Sequence, residues 1–219
     1  LVDQHPFHLI QHELHRVIRD PDFADHIRIP FGKILSGARY REGTVSTIDP
    51  DRRVVSFEDG TAMEYDAAAI TLGSRPAYYD LSGVEEHSIP LDTTADATAI
   101  GDRMRDLVDV GSGDVVVGGG GLAGIQAAGE IAQAVRNADS PDISITLLEQ
   151  KPTIAPEFGS DFQAAVTEAL RKLDVSIRTD TEVTGATEDR VFVEGDESLG
   201  ADLFVWTGGI EGTASFSGD

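Results

Sequence analysis

The sequence predicts an α/β protein, and three observations carry that expectation. An apolar run, Val115-Val116-Val117, leads through a glycine turn into an Ala-rich helical stretch, GLAGIQAAGEIAQ. A second apolar run, ISITLL, follows that helix and ends on Glu149. A further amphipathic helix at 160–173 is then followed by short strands, the last of them LFVWTGG at 203–209. Alternating strands and helices of these lengths read as a parallel sheet with helical crossovers.

Strand, glycine turn, helix, strand and terminal acid together form the arrangement that binds dinucleotides. Each part has a physical task. Gly119 allows the tight turn out of the strand, with Gly120 beside it, and Gly121 presents no β-carbon to an approaching pyrophosphate. Gly124 lets the helix lie close to the sheet. The helix N-terminus offers unpaired N–H groups and a partial positive charge to phosphates. Glu149 can accept hydrogen bonds from both hydroxyls of an adenosine ribose. It repels a 2′-phosphate, so NAD(H) is expected over NADP(H).

The other elements are read in order. Leu1-Val2-Asp3 resembles a strand end on an acid, as Leu147-Leu148-Glu149 does. If it belongs to a second nucleotide fold, the glycine turn of that fold lies upstream, within roughly thirty residues before position 1. A helix is expected over 7–19, ahead of Pro21. Short runs at 40–66, separated by Pro50-Asp51 and Asp59-Gly60, predict a β-meander. AAAITLG at 67–73 reads as a small-residue strand, and 93–109 as a helix capped by Thr93 or Thr94. Strands are expected at 175–178, 182–187 and 190–194.

Composition removes several function classes. A formal net charge of −22 repels nucleic acid over most of the surface. Lysine occurs only at Lys33, Lys151 and Lys172, and Asp outnumbers Glu. An acidic, lysine-poor surface of this kind suits a cytoplasm of very high salt, where self-repulsion is screened. Cysteine is absent, which excludes disulfides, thiolate zinc sites and redox dithiols from this segment. His8, His12 and His15 are spaced to share a helical face, but no carboxylate or cysteine completes a ligand set, so no metal is expected. No apolar run is long enough to span a bilayer and no signal peptide is evident, which predicts a soluble segment.

Read as a whole, the order resembles the two-dinucleotide-domain flavoproteins, and within them type II NADH dehydrogenase, the single-subunit NADH:quinone oxidoreductase. "LVDQHPFHLIQHELHRV", "YDAAAITLGSRP", "GGGLAGIQAAGE" and "ADLFVWTGGI" carry the resemblance. It implies an α/β fold of two Rossmann-like dinucleotide-binding domains, the first incomplete, with a β-meander. It divides the chain into 1–90, a partial FAD-binding domain; 91–209, an NAD(H)-binding domain; and 210–219, the start of a return to the first.

The resemblance also implies site residues. Asp3 matches the acid on the FAD adenosine ribose, while Thr71 and Gly73 lie in a turn passing near the FAD. Gly119, Gly120, Gly121, Gly124 and Glu149 hold NADH. Gly208 and Gly209 let the backbone pass near nicotinamide and flavin. Gln126 stands where relatives often carry a glutamate near the nicotinamide; a glutamine cannot carry a proton but can hold the carboxamide by hydrogen bonding. The implied reaction passes hydride from NADH to FAD and electrons on to a quinone. A cytoplasmic protein, peripheral on the membrane through parts outside this sequence and able to form a homodimer, completes that expectation. Two alternatives stay open: a flavin-dependent ferredoxin reductase, and a module that binds NAD(H) without turnover.

Overall fold

The structure, a computed structural model, describes residues 1–138 and 142–213. Contacts group the chain into two units. Among the described residues, the first comprises Leu1–Ile10, Asp25–Arg75 and 212–213, and the second Gln11–Ala24 and Pro76–Glu211. Segments 11–24 and 76–90, expected with the first unit, therefore pack with the second. The last residues of the expected return segment, 214–219, lie outside the described residues.

The first unit is built of short strands. Val2–Asp3 pairs in parallel with Arg41–Glu42. The expected meander is present as three antiparallel strands, Val45–Asp49, Val54–Phe57 and Ala62–Glu64. Its alternation buries Val55 and Phe57 while Ser56 and the last strand remain more open. The Arg41 guanidinium lies 3.6 Å from the centroid of the Phe57 ring and covers it. Asp59 closes the second turn by accepting from the Thr61 amide and hydroxyl, and these bonds hold its carboxyl below the usual range.

Two expectations for this region are corrected. No helix spans 7–19: Phe7–Leu9 is a strand paired antiparallel with Arg28–Pro30. Gln11–Glu13 is a 3-10 turn, and only His15–Arg19 (α1) is α-helical. Phe7 and Leu9 follow a strand's alternation, and a distant backbone partner satisfies it in preference to local helical bonds. His8, His12 and His15 thus share no helical face. AAAITLG forms no strand either, because residues 67–73 have no ladder partner among the described residues. The strand there is Ser74–Pro76, which pairs with Ile210–Gly212.

The second unit holds a five-stranded parallel sheet. Its strands are β1 (Ile89–Pro90), β2 (Ser112–Gly118), β3 (Asp142–Leu148), β4 (Ser176–Arg178) and, much later, Leu203–Trp206. Between β4 and that last strand come β5 (Val183–Thr187), β6 (Arg190–Val193) and β7 (Glu197–Gly200), a separate antiparallel sheet. Leu203–Trp206 is therefore β8, and the parallel order is β4-β3-β2-β8-β1. The chain leaves β2 towards β3 on one side and returns to β8 on the other. That reversal makes the C-terminal ends of β2 and β8 a topological switch point, where open α/β sheets open a crevice.

Alternation gives the sheet two apolar faces, as a buried parallel sheet requires. Val116, Leu148, Phe204 and Trp206 join Val84, Val183, Val191 and Val193 in one buried cluster under the β5–β7 sheet. The intervening Val115, Val117, Leu147 and Val205 are equally buried and project to the opposite face. The long helices are α2 (Thr94–Val110), α3 (Leu122–Asn137) and α4 (Ser160–Arg171). The short helix α1 packs on α2 and α3. Gly101 of α2 is required there, because a β-carbon would collide with the Ile18 carbonyl oxygen. Glu130 on α3 is explained by the same contact, as it pairs with Arg19 at 2.9 Å.

Helix α2 begins where the sequence expects, and Thr93 is its cap. The Asp96 amide donates to the Thr93 hydroxyl at 3.1 Å, and the Thr93 amide donates to the Asp96 carboxylate at 2.8 Å. This reciprocal box satisfies two otherwise orphan N–H groups. Thr93→Ala is expected to lower stability by about 1 kcal/mol. Urea unfolding followed by circular dichroism checks this, and an unchanged midpoint would remove the cap from the account.

Candidate functional site

The crevice at the switch point is assembled by the turn after β2. The Gly119 amide donates to the Leu148 carbonyl at 2.9 Å, tying the turn to β3. Gly119 has φ +109, and a β-carbon there would stand 2.6 Å from the Thr207 carbonyl oxygen. Conformation and crowding both demand glycine. Gly124 in the first turns of α3 meets the Gly119 carbonyl oxygen so closely that a β-carbon would overlap it. Gly121, the residue preceding α3, is different. A β-carbon there would meet nothing within 4 Å, so no protein atom requires its absence.

Glu149 directly follows β3 and is 7% exposed. Its Oε2 accepts from the Gly120 amide at 2.8 Å, and its Oε1 accepts from the Lys151 amide at 2.7 Å. Two backbone donors thereby fix the carboxylate at the rim, and each oxygen keeps lone-pair capacity for a further donor. The turn at Gly120 is also braced from outside, where the Ala155 amide donates to the Gly120 carbonyl at 2.7 Å.

Two adjoining clefts share Gly119, Glu149, Gln150 and Gly208. One, of about 360 Å³, is lined further by Tyr79, Thr181, Val183 and Trp206. The other, of about 400 Å³, adds Gly121, Leu122, Lys151 and Phe158. The structure thus brings Gly119, Gly121, Glu149 and Gly208 together around one crevice. Gly120 and Gly124 shape it from behind.

Gly208 and Gly209 have packing reasons that the sequence does not show. A β-carbon on Gly208 would run into the Trp206 indole, and one on Gly209 into the Tyr79 hydroxyl. Gln126 sits in the second turn of α3, half-buried, and lines neither cleft.

Three neighbours of this site escaped the sequence reading. The Thr207 hydroxyl donates towards the carbonyls of Gly118 and Gly119, at 3.0 and 3.1 Å, and so joins β8 to the turn after β2. The Trp206 indole N–H donates to the Ala77 carbonyl at 2.9 Å within the core. Tyr79 arrives from a loop far away in sequence. The WTGG motif carries a signal for the first two, since Trp206 and Thr207 directly precede its paired glycines.

In the first unit, Asp3 and Thr71 line one cleft of about 420 Å³ with Gln4, Gly43, Thr44 and Thr213. Asp3 Oδ1 accepts from the His5 amide at 2.8 Å. Gly73 takes φ +75, and its carbonyl accepts from the Thr213 hydroxyl at 3.0 Å. Among the described residues no group of three or more His, Asp or Glu side chains could hold a metal ion. Among them, too, no helix is long and apolar enough to cross a membrane.

Comparison with known proteins agrees with this architecture. The chain is 25% identical over 211 residues to the NADH dehydrogenase-like protein YutJ of Bacillus subtilis, covering 96% of this chain and 57% of that one. It is 21% identical to the type II NADH:quinone oxidoreductase of Haemophilus influenzae, covering 78% of this chain and 48% of the relative. The chain therefore spans about half the length of these curated relatives. Among solved structures, NDH2 from Plasmodium falciparum in complex with NADH superposes with a TM-score of 0.88 at 15% identity, over 97% of this chain and 50% of that one. A ferredoxin reductase from Rhodopseudomonas palustris gives 0.79 at 17% identity, over 96% and 52%. Both show the same α/β flavoprotein fold. The family model of the pyridine nucleotide-disulphide oxidoreductases matches residues 9–217, and this chain, although it holds no cysteine, belongs to that family.

Proposed function

We propose that this chain carries the NADH-binding part of an FAD-dependent NADH:quinone oxidoreductase. One observation supports the reading above the others. At the switch-point crevice, a buried carboxylate is fixed by two backbone amides beside a glycine turn, and the last glycine of that turn faces open space. A dinucleotide fits there. Its pyrophosphate meets Gly121 and the N-terminus of α3, and its ribose hydroxyls meet Glu149. The names of the relatives point the same way.

FAD fits the first unit at its adenosine end, where Asp3 supplies a carboxylate beside the hydroxyls of Thr71 and Thr213. When bound, the flavin would supply the redox chemistry, taking two electrons from the nicotinamide and releasing them to the quinone. This chain's own residues position and select. Glu149 accepts from ribose hydroxyls and disfavours a 2′-phosphate. The amides at the start of α3 offset phosphate charge. Thr207 keeps the turn after β2 in register with β8. Gln126 is proposed to hold the carboxamide, and Gln126→Ala is then expected to raise the KM for NADH by about fivefold to tenfold, the worth of one hydrogen bond. Steady-state kinetics checks this, and an unaltered KM would take Gln126 out of the site. A peripheral location on the cytoplasmic face and a homodimer accompany this reading.

A second reading, a ferredoxin reductase, is favoured by the likeness to the Rhodopseudomonas palustris structure. Against it, a net charge of −22 repels an acidic iron–sulfur partner. The test is NADH oxidation by the full-length protein with FAD at high salt, offering menadione or an oxidised ferredoxin. Turnover with menadione alone supports the quinone reading. Turnover with ferredoxin alone moves the assignment to the reductase, and binding without turnover leaves a nucleotide-binding module.

A further inference from the structure

Tyr79 is held in an unusual way for a surface residue. The Leu81 amide donates to the Tyr78 carbonyl at 3.0 Å, closing a four-residue turn with Tyr79 and Asp80 at its centre. Both central residues have positive φ, +52 at Tyr79 and +55 at Asp80. That is the pattern of a type I′ turn, which usually takes Asn-Gly. Aspartate tolerates this conformation, whereas a bulky aromatic residue there is an outlier that persists only where the surroundings fix it.

The surroundings do fix it. Tyr78 and Leu81, on either side, pack against the buried cluster that contains Val84, Leu148, Val183 and Trp206. Both ends of the turn are anchored, and its tip is directed outwards. Tyr79 is 63% exposed as a residue, yet it lines the crevice with Trp206, Gly208 and Glu149. Its hydroxyl occupies space over Gly209 that any β-carbon would fill. A strained turn and a glycine seat, separate in sequence, thus place one exposed aromatic ring at one cleft.

The position of the ring selects what it meets. Glu149 directly follows β3, on one side of the turn after β2, while Trp206 ends β8 and Gly208 lies just beyond it on the other. A dinucleotide with its adenosine ribose at Glu149 runs past Gly121 towards β8. Its nicotinamide half then lies on the Tyr79 side. We propose that Tyr79 is a binding platform whose ring stacks on the nicotinamide half of the dinucleotide, and that it sets affinity for NADH beyond the adenosine and pyrophosphate contacts. This rests on the nucleotide reading above.

The test compares NADH with ADP-ribose, which lacks only the nicotinamide ring, by titration calorimetry on the full chain. Tyr79→Gly keeps the positive-φ backbone accessible and removes the ring, so its unfolding midpoint is expected to stay equal or rise. Its Kd for NADH is expected to rise about tenfold, the scale of one aromatic–base stack, with ADP-ribose unaffected. Tyr79→Phe, which keeps the ring, is expected to bind both ligands as the parent does. Equal losses for NADH and ADP-ribose in Tyr79→Gly, or no loss for either, would overturn the platform. Failure of the parent chain to bind either ligand would instead refute the nucleotide reading, and the platform with it.

Discussion

Gly124→Ala is expected to destabilise the second unit by about 3 kcal/mol and to remove measurable NADH binding. The added methyl has no space. It would overlap the Gly119 carbonyl oxygen and come within 2.7 Å of the Thr207 hydroxyl, so α3 must move off the sheet. That movement shifts the helix N-terminus and opens the bonds by which Thr207 joins the turn to β8. Gly121→Ala supplies the contrast. Its β-carbon meets no protein atom within 4 Å, and its φ of −72 suits any residue. Stability is expected to change by less than about 0.5 kcal/mol while NADH binding falls, because the methyl stands where the pyrophosphate approaches. Chemical denaturation and calorimetry on both variants separate the two roles. If Gly121→Ala binds NADH like the parent, the pyrophosphate does not pass over that residue.

Glu149→Ala is expected to weaken NADH binding by about 100-fold, or about 2.7 kcal/mol, and to narrow the preference for NADH over NADPH. Two losses combine in this variant. The ribose acceptor disappears, and the amides of Gly120 and Lys151 lose the carboxylate that held them at 2.8 and 2.7 Å. Glu149→Gln separates these effects only in part. Its amide oxygen can accept one N–H, but its NH2 group then faces the other donor. NADH binding is expected to fall less than in the alanine variant, while discrimination against the 2′-phosphate drops in both, since the negative charge is gone from both. Calorimetric titration with NADH and NADPH decides the matter. Unchanged affinities for the two nucleotides would remove Glu149 from the ribose site.

Features with a local cause are legible in the chain before it folds. Val115–Val117 are apolar and β-branched on both faces, which suits a fully buried strand, and they lie at the centre of the parallel sheet. Thr93 and Asp96 stand three residues apart and cap a helix wherever the chain enters one. Gly119, Gly121, Gly124 and Glu149 carry their spacing in the chain, and the turn they predict is the one that forms. The meander likewise follows from turn residues at fixed offsets.

Features that need a distant partner emerge with the packed fold. Phe7–Leu9 is a strand because Arg28–Pro30 supplies hydrogen bonds that a helix would otherwise have made within itself. AAAITLG has a strand's composition but no ladder partner among the described residues, and without one its backbone cannot form a strand. Gly208 and Gly209 look like cofactor glycines in the sequence, yet folding shows the Trp206 indole and the Tyr79 hydroxyl occupying the space a β-carbon would need. Tyr79 itself carries no motif. It reaches the crevice because Tyr78 and Leu81 anchor its turn to a core drawn from several separate strands, a contact that nothing local in the chain encodes.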